Sequence, residues 1–249
     1  MIWDSHVHLK HGDKARTEYS TETIVSTMDA VGIEKSVVFA ICTTTRSSIE
    51  MAERAVRQFP DRLTPYAYAL PSYERPVYGE LEQALSERGF RGIKLHAGEC
   101  SLAEYVSDPV FELASRYQVP CLVDLRGDYP TAERLASAFP RTSIIIAHLG
   151  QYLCPDDSLI DRFIGLAQNL DNVLLDASGV VKQLKIKEAI ERVGANRVIW
   201  GTDGPQQSPD TVAFARSELD RIRALGLDRE AQEQVLGGSL AALLGRQRK

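Results

Sequence analysis

At 249 residues, with 44% hydrophobic and 25% charged side chains, the chain has ordinary globular composition, which excludes disorder, collagen and coiled coil as descriptions of the whole. A formal net charge of −5 without any long Lys/Arg run argues against nucleic-acid binding. The lack of a basic-then-apolar leader, or of ~18 uninterrupted apolar residues, argues against secretion and membrane spanning, so a cytoplasmic protein is expected.

Short, β-branched apolar runs alternate with amphipathic segments along the chain. The first run, Ile2–Ser5, is followed by a helix that Ser20/Thr21 opens and Gly32 stops. Ser36–Ile41 precedes a helix running from Ser48 to Phe59-Pro60, and Thr64–Ala69 precedes one over Glu80–Glu87 that closes at Gly89. Gly92–Leu95 leads to a segment opened by Asp108-Pro109 and ending at Tyr117, and Cys121–Asp124 to one that begins at Pro130 and stops before Pro140. Ser143–Ala147, Val173–Asp176 and Val198–Trp200 complete the strands, with helices from Asp157 to Leu170 and from Lys182 to Val193 between them. Runs this apolar suit strands buried on both faces of a parallel sheet, and the helix limits follow cap and stop residues.

Eight such units in a chain near the ~250 residues of one barrel predict an α/β protein with a single (β/α)8 TIM-like barrel domain over residues 1–249. A doubly wound sheet is the alternative, but the turn after its first strand should be glycine-rich, and here it reads Asp4-Ser5-His6-Val7-His8. From Asp228 onward, Val235, Leu236, Leu240, Leu243 and Leu244 form the apolar side of a helical tail, expected to close the barrel's side or to serve a homodimer contact. The four cysteines, Cys42, Cys100, Cys121 and Cys154, lack CxxC spacing and are expected to be reduced thiols.

Catalytic groups of such barrels collect beyond the C-terminal strand ends, and His6, His8, His96 and His148 all fall there, with His11 in the first loop. In an extended His6-Val7-His8 segment both imidazoles project to one side, where two neutral nitrogens can reach one divalent cation. In a polar loop, the same pair is simply hydrogen-bonded. Asp203 ends the apolar run Val198-Ile199-Trp200-Gly201-Thr202. It is either a turn-former or, beside a metal, a ligand and proton acceptor. His148 crowns the wholly apolar Ile144-Ile145-Ile146-Ala147, which makes it a satisfied core histidine or a substrate-polarising group. Lys94 and His96 share a strand face. Lys94 binds a substrate carboxylate, becomes a carboxylated bridging ligand, or is neutralised by an acid such as Asp124.

Taken together, Ile2-Trp3-Asp4-Ser5-His6-Val7-His8, Phe90-Arg91-Gly92-Ile93-Lys94-Leu95-His96, Val119-Pro120-Cys121-Leu122-Val123, Ala147-His148-Leu149-Gly150, Ile199-Trp200-Gly201-Thr202-Asp203-Gly204-Pro205 and Leu236-Gly237-Gly238-Ser239-Leu240-Ala241 resemble the amidohydrolase superfamily. The resemblance is to its amidohydrolase-2 group, related to aminocarboxymuconate semialdehyde decarboxylase, and spans nearly the whole chain. It implies a distorted (β/α)8 barrel and one divalent metal, usually zinc, held by His6, His8 and Asp203. Members of the group add a histidine at the end of strand five, where this sequence has Asp124. Either Asp124 is a fourth ligand, which also suits a harder cation such as manganese, or its shorter side chain pairs with Lys94 or Arg126 and leaves the metal weak or absent.

The expected activity is metal-assisted hydrolysis of a small, carboxylate-bearing ester, lactone or amide. In this scheme Asp203 takes the proton from the attacking water, His148 stabilises the oxyanion, and Lys94, Arg126 and His96 contact the substrate. Two alternatives remain: non-oxidative decarboxylation with the same parts, and a degenerate barrel that binds its ligand without metal. The expected partner is a small molecule, with no nucleic acid or membrane.

Overall fold

The structure is a computed structural model that describes residues 1–208 and 210–245, so Pro209 and the last four residues of the expected 1–249 domain lie outside the described residues. The strands run β1 (Trp3–Lys10), β2 (Lys35–Ala40), β3 (Leu63–Pro65), β4 (Ala67–Tyr68), β5 (Ile93–His96), β6 (Cys121–Asp124), β7 (Ile144–Ile146), β8 (Val173–Asp176) and β9 (Val198–Ile199). Between and after them lie α1 (Thr21–Val31), α2 (Thr45–Gln58), α3 (Tyr78–Glu87), α4 (Glu104–Tyr117), α5 (Tyr129–Ala138), α6 (Asp157–Asn169), α7 (Gln183–Val193), α8 (Thr211–Arg223), α9 (Arg229–Glu233) and α10 (Ser239–Gly245). Ser20 caps α1 through Thr23 N, and Gly32, at φ 85°, ends it as the sequence leads one to expect. The start of α2 moves upstream: Thr44 is the cap, and Ser48 instead accepts from Ala40 N at 3.2 Å. None of the described helices is long and apolar enough to cross a membrane.

All strand pairs are parallel, in the orders β1-β2-β3 and β4 to β9. The expected third strand, Thr64–Ala69, is two pieces. Tyr66 N still donates to Val38 O of β2 (3.0 Å), whereas Ala67 N donates to Gly92 O beside β5 (2.9 Å). Pro65 has no N–H to add to the ladder, and the break falls beside it.

The two outer edges of the array also meet. Ser5 N donates to Trp200 O (3.2 Å), His8 N donates to Gly204 O (2.7 Å), and Val7 bridges Gly204 in parallel. The Asp4 carboxylate adds to this seam by accepting from Thr202 N (2.9 Å) and Thr202 Oγ1 (2.7 Å). The fold is the expected (β/α)8 barrel.

Alternation along the strands builds two apolar layers. Val38, Ala40, Val123 and Ile146 pack outward against the helices, while Val37, Phe39, Leu122, Ile145 and Ile199 fill the interior. Leu240, Leu243 and Leu244 of α10 join that interior set, and Arg91, just ahead of β5, donates to Leu244 O at 2.6 Å. The tail therefore plugs the end where the strands begin and does not close the barrel's side. Leucines set into that opening bury apolar surface against the interior residues of the strands.

Candidate active site

The first strand is longer than its apolar start suggests and carries the histidine pair within it. Asp4 through Leu9 are all buried, with Val7 and Leu9 in the outer layer and His6 and His8 on the other face. The His6 and His8 rings lie 5.2 Å apart, and both contact the Phe39 ring.

Other site residues sit on turns directly after strand ends. Arg126 (φ 52°), His148 (φ 59°) and Asp203 (φ 56°) all adopt left-handed backbone, which is costly for side-chain-bearing residues and collects where function demands it. Asp203 thereby brings Oδ1 to 2.9 Å from His8 Nε2 and 3.2 Å from His6 Nε2. Burial raises the Asp203 carboxyl, but the neighbouring His6 and His148 rings and the hydrogen bond from His8 outweigh it and hold the group well below the usual carboxylate range. Burial also pushes His6 well below its ordinary value and His8 down to about 4, so both imidazoles are neutral at pH 7.

The His6 tautomer follows from its surroundings. Asp176 Oδ2 lies 3.1 Å from Nδ1, which makes Nδ1 the donor and leaves a lone pair on Nε2. Two acceptors, His6 Nε2 and Asp203 Oδ1, therefore face each other at 3.2 Å, an arrangement that calls for a cation. Donors 2.9–3.2 Å apart are near the ~3.3 Å edge of a tetrahedron with ~2.0–2.1 Å bonds, and two neutral imidazoles with one carboxylate are ordinary zinc ligands. His6, His8 and Asp203 thus fit a divalent metal. One element is lacking: among the described residues His8 Nδ1 is buried without a hydrogen-bond partner, so none of them orients that ring as Asp176 orients His6.

A second group, His6, His148 and Asp176, also brings three ligand-type atoms together, but with His148 Nδ1 3.9 Å from Asp176 Oδ2, and the Ser178 hydroxyl fills it. Ser178 Oγ lies 3.2 Å from His6 Nδ1 and 3.1 Å from His148 Nδ1, and it donates to Asp176 Oδ2. This cluster fixes the rings. Asp176 also accepts from His148 N (3.3 Å), and His148 Nδ1 donates to Ser178 O (2.9 Å). Neither Asp176 nor Ser178 is among the site residues expected from sequence. The available signal was Asp176 itself, an acid closing the buried run Val173-Leu174-Leu175 just as Asp203 follows Val198-Ile199-Trp200.

Asp124 lies outside the three-ligand group among the described residues. Its Oδ2 is 3.2 Å from His96 Nε2 and 3.7 Å from His148 Nε2, and its Oδ1 accepts from Arg126 N at 2.9 Å. Burial raises its carboxyl, but the His96 hydrogen bond and the charges of His148 and Lys94 outweigh this and hold it well below the usual range. Lys94 is fully buried and places Nζ 3.1 Å from His6 Nε2. Of the expected substrate contacts, Arg126 is exposed and His96 half-buried. All these residues line one cavity of about 370 Å3, joined by His11, Gln151 and Tyr152.

The family model described as amidohydrolase matches residues 3–246. No curated protein matches the sequence. Among solved structures, the chain is similar to 5-carboxyvanillate decarboxylase from Sphingomonas paucimobilis, at 15% identity and a TM-score of 0.74 over 98% of both chains. It is also similar to a probable 2-pyrone-4,6-dicarboxylic acid hydrolase from Acinetobacter baumannii with citric acid bound, at 18% identity and a TM-score of 0.76, covering 98% of this chain and 99% of that one. A zinc-bound amidohydrolase from Burkholderia multivorans matches at 14% identity and a TM-score of 0.79, with coverage of 98% and 99%. At such identities the likeness shows a shared fold.

Proposed function

The chain belongs to the amidohydrolase family, and from that premise we propose that it is a divalent-metal-dependent hydrolase of small, carboxylate-bearing esters, lactones or amides. The observation that carries this reading is the pair of facing acceptors, His6 Nε2 and Asp203 Oδ1 at 3.2 Å, with His8 completing a donor set on the wall of a cavity sized for a small molecule.

His6, His8 and Asp203 would hold the metal, with zinc as the first choice and manganese as the second. Such a metal supplies positive charge that polarises a carbonyl and lowers the pKa of water from 15.7 toward ~7. Asp203, the carboxylate of that donor set, would take the proton from the attacking water.

Ser178 O can only accept, so His148 Nδ1 is the donor and Nε2 is the ring atom left for the substrate. In its imidazolium form His148 would stabilise a developing oxyanion through Nε2–H, with Asp124 Oδ2 3.7 Å away. Arg126, exposed and lining the cavity, would pair with a substrate carboxylate.

The test is turnover of a panel of carboxylated lactones, esters and amides by metal-stripped protein, with and without Zn2+ or Mn2+. Metal-dependent hydrolysis of any member supports the assignment. Release of carbon dioxide from an aromatic carboxylic acid without hydrolysis would reassign the same parts to decarboxylation. No metal binding and no turnover would leave a binding barrel.

A further inference from the structure

Lys94 is an internal cation directed at the atom a metal would use. Its ammonium is fully buried, contacts no carboxylate directly among the described residues, and makes its one described hydrogen bond, 3.1 Å long, to His6 Nε2. It also lies 5.2 Å from the Phe39 ring centroid, over the same ring that both site histidines touch.

Asp176 holds the His6 Nδ1 proton, so His6 has a single lone pair to give. That lone pair is already shared with Lys94, and the carboxylate of the donor set, Asp203, has Oδ1 3.2 Å from the same His6 Nε2. A divalent ion and the ammonium would therefore draw on the same imidazole beside the same carboxylate, and would repel each other across a few ångströms.

We propose that Lys94 is a tethered competitor of the metal: its ammonium occupies the cation demand of His6 and Asp203 and sets the affinity of the site, so that divalent ions bind only by displacing it. This proposal rests on the reading that His6, His8 and Asp203 form a metal site. It moves Lys94 from the substrate-binding role expected of it to a positioning role at the metal.

The experiment titrates metal-stripped full-length protein with Zn2+ by calorimetry and with Co2+ by visible absorption. It compares wild type with Lys94→Met, the hydrogen-bonding but uncharged Lys94→Gln, and the charge-retaining Lys94→Arg. The expected result is tighter binding by Lys94→Met and Lys94→Gln, on the order of 10- to 100-fold, the range found when the surroundings of a metal ligand are altered. Lys94→Arg should remain near wild type. Adding Asp203→Asn to Lys94→Met should abolish the gain; a gain that persists would place the ion elsewhere and overturn the proposal. Unchanged or weaker binding by both uncharged variants, beside clear binding by wild type, would overturn the competition and leave the metal site standing. No binding by wild type or by any of the three single Lys94 variants would overturn both.

Discussion

The cavity joins side chains far apart in sequence, and their roles differ by which atoms they leave free. Asp203, held ionised beside two neutral imidazoles, is expected to be indispensable. Asp203→Asn keeps the volume but loses the charge, and turnover should fall by about 100-fold or more. Its circular dichroism spectrum should match that of wild type, since the residue stands on the catalytic side of the barrel. Asp176 acts one shell further out through His6 Nδ1. Asp176→Asn should weaken zinc affinity by about 10- to 100-fold by releasing the His6 tautomer, which metal titration reads independently of activity.

At the scale of elements, the seam between β1 and the segment after β9 carries both the fold and the site. Gly201 permits that approach: a Cβ there would lie 2.7 Å from Ser5 Oγ, 2.9 Å from His6 Cβ and 3.0 Å from Asp176 Oδ1. Gly201→Ala is expected to cost about 1–3 kcal/mol in urea unfolding, and to reduce activity further than that loss explains, because the displaced atoms belong to His6 and Asp176.

Asp4 fastens the same seam, and burial outweighs its hydrogen bonds to raise its carboxyl to about 7. Between roughly pH 4 and 7 the folded protein retains a proton on Asp4 that the unfolded chain releases, so this group's contribution to stability falls as pH rises through that window. His8, lowered to about 4, works oppositely: the unfolded chain takes up protons below about pH 6.5 that the folded ring refuses, so its contribution grows as pH rises from about 4 to 6.5. Removing the Asp4 contribution with Asp4→Asn should make the change in unfolding free energy from pH 4.5 to 7.5 more positive than in wild type, by an amount on the order of a few kcal/mol. Equal changes in urea melts of the two proteins would show that Asp4 is not protonated in the fold.

For the whole molecule, a metal that binds the folded barrel and not the unfolded chain must stabilise it. Zinc at about 100 times its dissociation constant should raise Tm by about 5–10 °C over chelator-treated protein, and Asp203→Asn should abolish that response. Much of the architecture was legible in the sequence because buried parallel strands are continuous apolar runs and their helices carry cap and stop residues; eight such units left little choice but a barrel. The sequence also pointed to the His6/His8 pair, Asp203 and His148 by their places at the ends of apolar strands, and the structure brings all four to one cavity.

The tertiary structure decided what depends on contacts between strands distant in sequence. It carried β1 through both histidines, split the third strand at Pro65, sent the C-terminal leucines into the barrel's end, held Asp124 with His96 and Arg126 N, and recruited Asp176 and Ser178 to orient the imidazoles. It also turned Lys94 toward His6. Periodicity tells which face a side chain takes, but hydrogen-bond partners across a barrel are set by strand register and closure, and these exist only once all eight units have packed.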